Sequence, residues 1–177
     1  MKQNVEIFRH DRIWALSLFA HVFCLLAITV ALMSCNENDG EVKEPWENEV
    51  DKLSAAVAVF NSLDHAIAQG YDNEFTGYRS QMGFHYLNGS LLDDQFELEK
   101  PEVLMYAPDS EGNMKFVGVE YAVPITDLLN PPPAPEGFTG DEDVWEINHE
   151  FSVWTLHVWV GIENPHGIFA SHNPELP

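Results

Sequence analysis

The stretch FSVWTLHVWVG, residues 151–161, is the longest strand-like run in the chain, and it decides the fold. It is filled with large apolar and β-branched residues and contains no Asp, Glu, Lys or Arg, as is typical of a buried strand. Because successive side chains of a strand point to opposite sides, Trp154 and His157 belong to different faces. We predict that the Trp154 face packs against a helix and that the His157 face carries the functional groups.

One amphipathic helix is predicted over residues 48–69. Its apolar residues recur at steps of three or four, which gives a single stripe along one side of a helix. Five alanines in this range favour the helix, and Gly70 is a residue that often follows a helix C-terminus. The stripe consists of Val50, Leu53, Val57, Phe60, Leu63 and Ile67.

Three further strands are predicted upstream, over residues 82–87, 102–107 and 114–123. The second and third are joined by PDSEGN, a sequence rich in turn formers, so we expect them to form an antiparallel hairpin. Residues 127–143 are rich in proline and glycine and are predicted to form a long loop within the same domain.

The predicted fold class is therefore α+β, with one long N-terminal helix packed on an antiparallel sheet of about four strands. The apolar stripe of the helix needs a partner, and the sheet is the only apolar surface that the sequence offers. The sequence leaves open whether this sheet curls into a partial barrel. Residues 48–177 are assigned to this single domain.

The N-terminal residues 1–34 have the pattern of an export signal. A leader that carries Lys2, Arg9 and Arg12 precedes an almost wholly apolar run. The following LMSC sequence resembles the bacterial lipobox, which implies cleavage before Cys35 and acyl chains on that cysteine. The alternative is an uncleaved membrane helix that ends in Ser-Cys.

Residues 35–47 are polar and acidic, and we predict that they form a disordered tether between the lipid and the domain. Acidic residues directly after the lipidated cysteine resemble the surface-export signal of Bacteroidota lipoproteins. The expected location is the bacterial cell envelope, with the protein lipid-anchored at the outer membrane or cell surface.

The charge and cysteine content exclude several classes of function. The chain has 29 acidic and 8 basic residues and a net charge of −21 at pH 7, which argues against binding to nucleic acid and favours cations as partners. Its two cysteines are Cys24, inside the apolar run, and Cys35. The mature domain is therefore expected to have no disulfide and no thiolate site.

Strand parity singles out three polar residues as a candidate metal site. If the more apolar strand faces all cover the helix, then His85, Glu120 and His157 all point to the other side of the sheet. Two histidines and one carboxylate form a ligand set for zinc or non-haem iron, and Gly83 and Gly118 beside them are expected to leave room for a ligand. The alternative is that these are ordinary polar residues with structural hydrogen bonds.

The remaining candidates are weaker. His149 would lie about 26 Å from His157 if both belonged to one continuous strand. His166 is expected to face water in a turn, and His172 lies in a terminal tail. The acidic runs at 93–94 and 141–143 lack the ligand spacing of a calcium loop, and no nucleotide-binding loop, H-E-x-x-H or G-x-S-x-G motif occurs.

Several motif blocks are similar to those of an uncharacterised family of secreted bacterial proteins. That family carries M-G-x-H-Y, E-Y, L-H-V-W and N-P-x-G-x-F in this order, with a later N-P. The corresponding blocks here are MGFHY at 82–86, EY at 120–121, LHVW at 156–159, NPHGIF at 164–169 and NP at 173–174. The resemblance covers residues 50–177, includes all three candidate ligands and implies no activity.

Three functions remain open at this point. The favoured one is a membrane-anchored lipoprotein domain, at the surface or in the periplasm, that binds a small ligand or a divalent metal without catalysis. The second is a metal-dependent hydrolase or oxygenase that uses His85, Glu120 and His157. The third is a structural or adhesive surface protein, with Trp159 and the proline-rich loop as contact points.

Overall fold

The computed structural model describes residues 42–177, so the predicted signal, Cys35 and the tether up to residue 41 lie outside it. Its first element is helix α1, Pro45–Val57, which begins earlier than predicted. Proline suits the first turn of a helix, and a capping box formed by Glu44 and Glu47 satisfies backbone N–H groups at this end. Residues 43–177 form one compact unit.

The prediction of one long helix is wrong, because the helical region is broken in the middle. A 3₁₀ turn, Ala58–Asn61, follows α1, and a second short helix, α2, spans Leu63–Ala68. Ser62 between them has an extended backbone (φ −104°, ψ 122°), and its hydroxyl accepts a hydrogen bond from the His65 backbone N–H. Ser62 is thus the N-cap of a new helix, a role that favours serine over most residues.

The break changes which side chains reach the core. Val50, Leu53 and Val57 are buried as predicted. After the break the helix restarts with a different rotation, so that Ala66 is fully buried whereas Ile67 is 41% exposed. A single stripe extrapolated across the break therefore fails at its C-terminal end.

The sheet has six antiparallel strands in the order β1-β2-β3-β4-β6-β5. It is open, with short strands at both edges, and does not close on itself. The four predicted strands correspond to β2, β3, β4 and β6, and the two edge strands β1 and β5 were not predicted. The strands are β1 Asn73–Glu74, β2 Phe84–Leu87, β3 Val103–Pro108, β4 Met114–Pro124, β5 Glu146–Asn148 and β6 Val153–Val158.

A β-bulge at Val117 corrects the predicted parity of β4. Met105 pairs with Gly118, but the next residue, Tyr106, pairs with Phe116, so Val117 is an extra residue on its strand. The bulge exchanges the faces of the residues before it. Phe116 packs in the helix-side core and Val117 on the opposite face, whereas strict alternation from Glu120 would predict the reverse.

The main core lies between the helices and one face of the sheet. Its central members from the sheet are Leu104, Tyr106, Val119, Tyr121, Leu156 and Val158. Trp154, predicted to join them, instead remains half-buried and donates its indole N–H to the Pro132 carbonyl of the proline-rich loop at 3.3 Å. The opposite face of the sheet carries a smaller apolar cluster, in which Met105 and Trp159 are buried.

Within residues 42–177, no helix is both long enough and apolar enough to span a bilayer.

Candidate metal centre

Three strands of the sheet, β2, β4 and β6, position the predicted ligands on the face away from the helices, with β3 between β2 and β4. His85 lies on β2, Glu120 on β4 and His157 on β6, and Glu120 and His157 are direct cross-strand partners. All three are buried, with 3%, 6% and 6% exposure. The prediction that they face the same side is confirmed, because Glu120 lies beyond the bulge and keeps its parity.

The three side chains converge on one point. One donor atom from each lies within 4.8 Å of the other two. His85 Nε2 lies 3.8 Å from Glu120 Oε2, and His157 Nε2 lies 3.8 Å from Glu120 Oε1. Donors around a tetrahedral zinc stand roughly 3.4 Å apart for Zn–ligand distances of about 2.0–2.2 Å. The 3.8 Å pairs, which join the imidazoles to different oxygens of Glu120, would need to close by a few tenths of an ångström, and the widest donor separation, at up to 4.8 Å, by about 1.4 Å.

His157 Nε2 is the one buried side-chain polar atom of the described residues that has no hydrogen-bond partner. Its separation from Glu120 exceeds hydrogen-bonding distance. A buried polar atom without a partner costs free energy, so native structures rarely contain one unless it has another role. A metal ion would give this nitrogen a partner.

Thr76 fixes which nitrogen of His85 is free to bind a metal. The Thr76 hydroxyl donates to the Gly77 carbonyl at 2.7 Å and lies 3.1 Å from His85 Nδ1. Because its single proton is directed to Gly77, the hydroxyl accepts from an Nδ1–H, which leaves the lone pair on Nε2. Histidine ligands of metals are commonly held in this way through their second nitrogen.

Glu74 in turn holds the loop that carries Thr76. Its Oε1 accepts hydrogen bonds from the backbone N–H groups of Thr76 at 3.1 Å and Gly77 at 2.8 Å. Glu74 and Thr76 lie between the predicted helix and the predicted strand at 82–87, in a segment to which the sequence assigns no element and no site. No sequence pattern marks Thr76 as a functional residue.

Burial sets the protonation states of the three ligands. Burial, and to a smaller extent the nearby Glu102 carboxylate, raises the pKa of Glu120 to about 8. Burial lowers the pKa of His85 to about 4, with the Arg79 charge adding to the effect, and it lowers the pKa of His157 to about 3. Both imidazoles are therefore neutral donors at neutral pH, whereas Glu120 holds a proton that a cation would displace.

The cluster opens onto a cavity of about 640 Å³. The buried lining residues form its floor, which includes the three candidate ligands. The other floor residues are Val103, Ala122, Val153 and Thr155. Exposed residues form its rim, and they come mainly from the β5–β6 hairpin. The rim consists of Asn73, Leu92, Glu146, His149, Glu150 and Phe151.

The expectation that Gly83 and Gly118 leave room for a ligand is wrong. A Cβ on Gly118 would lie 2.6 Å from the Val158 carbonyl oxygen, and one on Gly83 would lie 2.5 Å from that of Tyr106. Both glycines are needed for close backbone packing. Neither lines the cavity.

The condition under which His149 would lie far from His157 is not met, because residues 146–158 are not one continuous strand. They form the β5–β6 hairpin, and His149 lies on its turn at the cavity rim. His166 is exposed as predicted. His172 is exposed as well, yet it lies near enough to His157 to contribute to lowering the pKa of that histidine.

No protein-family model matches the chain, and comparisons with curated proteins and with solved structures also find no match. The resemblance of its motif blocks to a family of secreted bacterial proteins therefore stays a prediction.

The donor set indicates which ions the centre would suit. Two neutral imidazoles and a carboxylate match zinc and ferrous iron, whereas calcium and magnesium prefer sites built from oxygen alone. Three protein ligands leave at least one coordination position for water or another ligand. The cavity lies on the side of the sheet from which such a ligand would approach.

Proposed function

We propose that this domain binds a divalent transition metal, zinc or ferrous iron, through His85, Glu120 and His157. The metal would keep an open coordination position toward the cavity, where a small ligand joins it. The proposed activity is binding of this ligand at the metal.

The unpartnered Nε2 of His157 is the observation that carries the proposal. The alternative, that the three residues only make structural hydrogen bonds, accounts poorly for it. The carboxylate is 3.8 Å from each imidazole, and no other side chain within residues 42–177 hydrogen-bonds to Nε2 of His157. A shared metal ion would account both for the convergence of the three side chains and for the 3.8 Å separations, which are too long for hydrogen bonds.

A second candidate function is metal-assisted catalysis, and the cavity beside the ligands favours it. A zinc ion with an open position can polarise a carbonyl or activate water, and two histidines with one carboxylate are also the ligands of many iron oxygenases. Catalysis would use His85, Glu120 and His157 to hold the metal. The test is loss of a measured reaction in a His157→Ala protein that remains folded.

We also propose that the protein is anchored to the bacterial cell envelope through lipid on Cys35. The lipobox-like sequence at 32–35 and the acidic residues after it support this placement. Replacement of Cys35 by serine is expected to abolish both the attachment of labelled fatty acid and the cleavage before residue 35. A Cys24→Ser variant, which changes the other cysteine, is the matched control and should still be labelled and cleaved.

Metal analysis of the full-length chain, purified without chelators, tests the proposed centre. We expect about one equivalent of zinc or iron per chain, and loss of that metal in the His157→Ala variant. His166→Ala changes an exposed histidine that does not line the cavity and should keep the metal. Absence of zinc, iron and copper, together with no binding on titration, would refute the proposal.

A further inference from the structure

We infer that the cavity beside the metal centre accepts a small organic acid, with its carboxylate on the metal and an apolar body against the cavity wall. The inference rests on the proposed metal centre and extends it to a class of ligand. It is carried by the charge balance of the floor and by the apolar composition of the wall.

The charge balance favours an anion at the open position. A divalent ion bound by two neutral histidines and one glutamate has a net charge of +1 with its ligands, and the buried Glu102, which acts on Glu120 from outside the cavity lining, offsets part of this charge only where it is ionised. An uncompensated buried charge is costly. A carboxylate oxygen on the metal would neutralise it, whereas an amide or an alcohol would not.

The other charged groups that line the cavity do not oppose an anion at its floor. Arg79 is the only arginine of the chain beyond residue 12, and it lines this cavity. Its guanidinium donates to both carboxylate oxygens of Glu150, at 2.9 and 3.0 Å, so these two charges cancel. Glu146 is exposed on the rim, where water screens it.

The apolar residues that line the cavity, from its floor to its rim, are together called its wall, and this wall suits an apolar body. Most of the uncharged side chains of the lining are aliphatic or aromatic, and the size of the cavity falls within the range of small-molecule sites. Phe75 lies in the loop between β1 and β2, and Phe151 lies in the turn between β5 and β6. Their rings pack edge to face with centroids 4.9 Å apart. The apolar lining residues are Phe75, Met82, Leu87, Leu92, Val103, Ala122, Ile147, Phe151 and Val153.

Phe75 also connects this wall to the metal centre. Its ring lies edge to face on the His85 imidazole, with centroids 6.4 Å apart. A ligand held on the metal beside His85 would therefore extend along an aromatic surface. This arrangement favours a flat or aromatic acid over a purely polar one.

Calorimetric titration of the zinc-loaded full-length chain with three probes tests the inference. Benzoate has both the carboxylate and the apolar body, acetate lacks the body, and benzamide lacks the charge. We expect benzoate to bind at least about tenfold more tightly than either, because burying a phenyl ring is worth about one to two factors of ten. The same titration without zinc should show no benzoate binding.

The outcomes separate this inference from the metal proposal. Equal binding of benzoate and acetate, equal binding of benzoate and benzamide, or benzoate binding that persists without zinc would each overturn the inference while leaving zinc binding intact. Failure of the chain to bind zinc at all would overturn both.

A wall variant provides a second test that does not touch the metal ligands. Phe151 is 37% exposed, so Phe151→Ala is expected to fold. It should weaken benzoate binding by about three- to tenfold and leave zinc affinity unchanged. Leu129→Ala, at a site that is 91% exposed and outside the cavity, is the matched control. Equal benzoate affinity in both variants would contradict a role for the aromatic wall.

Discussion

Nε2 of His157 and Oε1 of Glu120 lie 3.8 Å apart at facing positions of two adjacent strands. The separation is too long for a hydrogen bond and close to that of two donors around one zinc ion. Both groups are buried, so neither can use water freely as a partner. This relationship, repeated between Glu120 and His85, is the basis of the proposed centre.

Replacement of the carboxylate should remove metal binding without removing the fold. Glu120→Gln keeps the shape of the side chain but cannot supply an anionic oxygen, so we expect zinc affinity to fall by about 100-fold or more. Competition with a zinc chelator measures the change, and circular dichroism checks the fold. Glu146→Gln, on the exposed cavity rim, is the control and should bind zinc as the natural chain does.

Loss of the Thr76 hydroxyl should lower the metal affinity of the site, because this hydroxyl contacts Nδ1 of the ligand His85. Without an acceptor at Nδ1, the proton of His85 is free to move to Nε2, the atom that faces Glu120. We expect Thr76→Val to lower zinc affinity by about 10–100-fold, as is usual for groups that orient metal-bound histidines. Thr76→Ser keeps the hydroxyl and should restore most of the affinity. Equal affinities of the two variants would exclude this role for Thr76.

The stability of the metal-free protein should fall as pH rises from about 6.5 to 8. In this window the unfolded glutamates, with pKa 4.5, are already ionised, whereas Glu120 in the folded state holds its proton up to a pKa of about 8. Glu102, whose pKa is raised to about 7, acts in the same sense. The folded state therefore binds more protons than the unfolded state, and stability decreases with pH.

Below pH 6.5 the histidines add an opposite contribution. The pKa of His85 is lowered to about 4 and that of His157 to about 3, so the unfolded state takes up protons that the folded state excludes. Stability from these two groups is therefore lost as pH falls through 6.5. Chemical denaturation at several pH values measures both trends, and Glu120→Gln should flatten the decline above pH 6.5. A natural chain whose stability rises from pH 6.5 to 8 would contradict the assigned protonation states.

Gly118, which is buried within β4, should be intolerant of a side chain. Gly118→Ala would place a methyl group 2.6 Å from the Val158 carbonyl oxygen, so the strands must shift. We expect a loss of about 1–3 kcal/mol of unfolding free energy, as for other overpacked cores. Gly89→Ala has no atom within 4 Å of the added methyl group and is the control. Denaturant titration compares the two, and equal stabilities would contradict the packing role of Gly118.

The sheet and the site could be predicted because both depend on the two-residue period of a strand. The apolar pattern identifies the strands, and the alternation of side chains places His85, Glu120 and His157 on their less apolar faces. The pattern could not reveal the bulge at Val117, which shifts the register by one residue without a proline or glycine at that position. The bulge does not affect the prediction for the three ligands, because Glu120, the one ligand on β4, follows the bulge.

The prediction of one continuous helix failed for a local reason. Apolar spacing continues across Phe60 and Leu63, so the periodicity alone predicts one helix. Ser62 instead acts as an N-cap, which periodicity does not detect. Thr76, His149 and the aromatic wall lie on loops or a turn, where side-chain positions depend on the folded sheet beneath them. Their roles could not be predicted from spacing along the chain.

X-ray absorption at the zinc edge of the zinc-loaded full-length chain tests the central claim most directly. We predict a first shell that contains two imidazole nitrogens and carboxylate oxygen at about 2.0–2.2 Å, and loss of one imidazole in the His157→Ala variant. A spectrum without imidazole scattering, or one unchanged by that substitution, would contradict a metal centre at His85, Glu120 and His157.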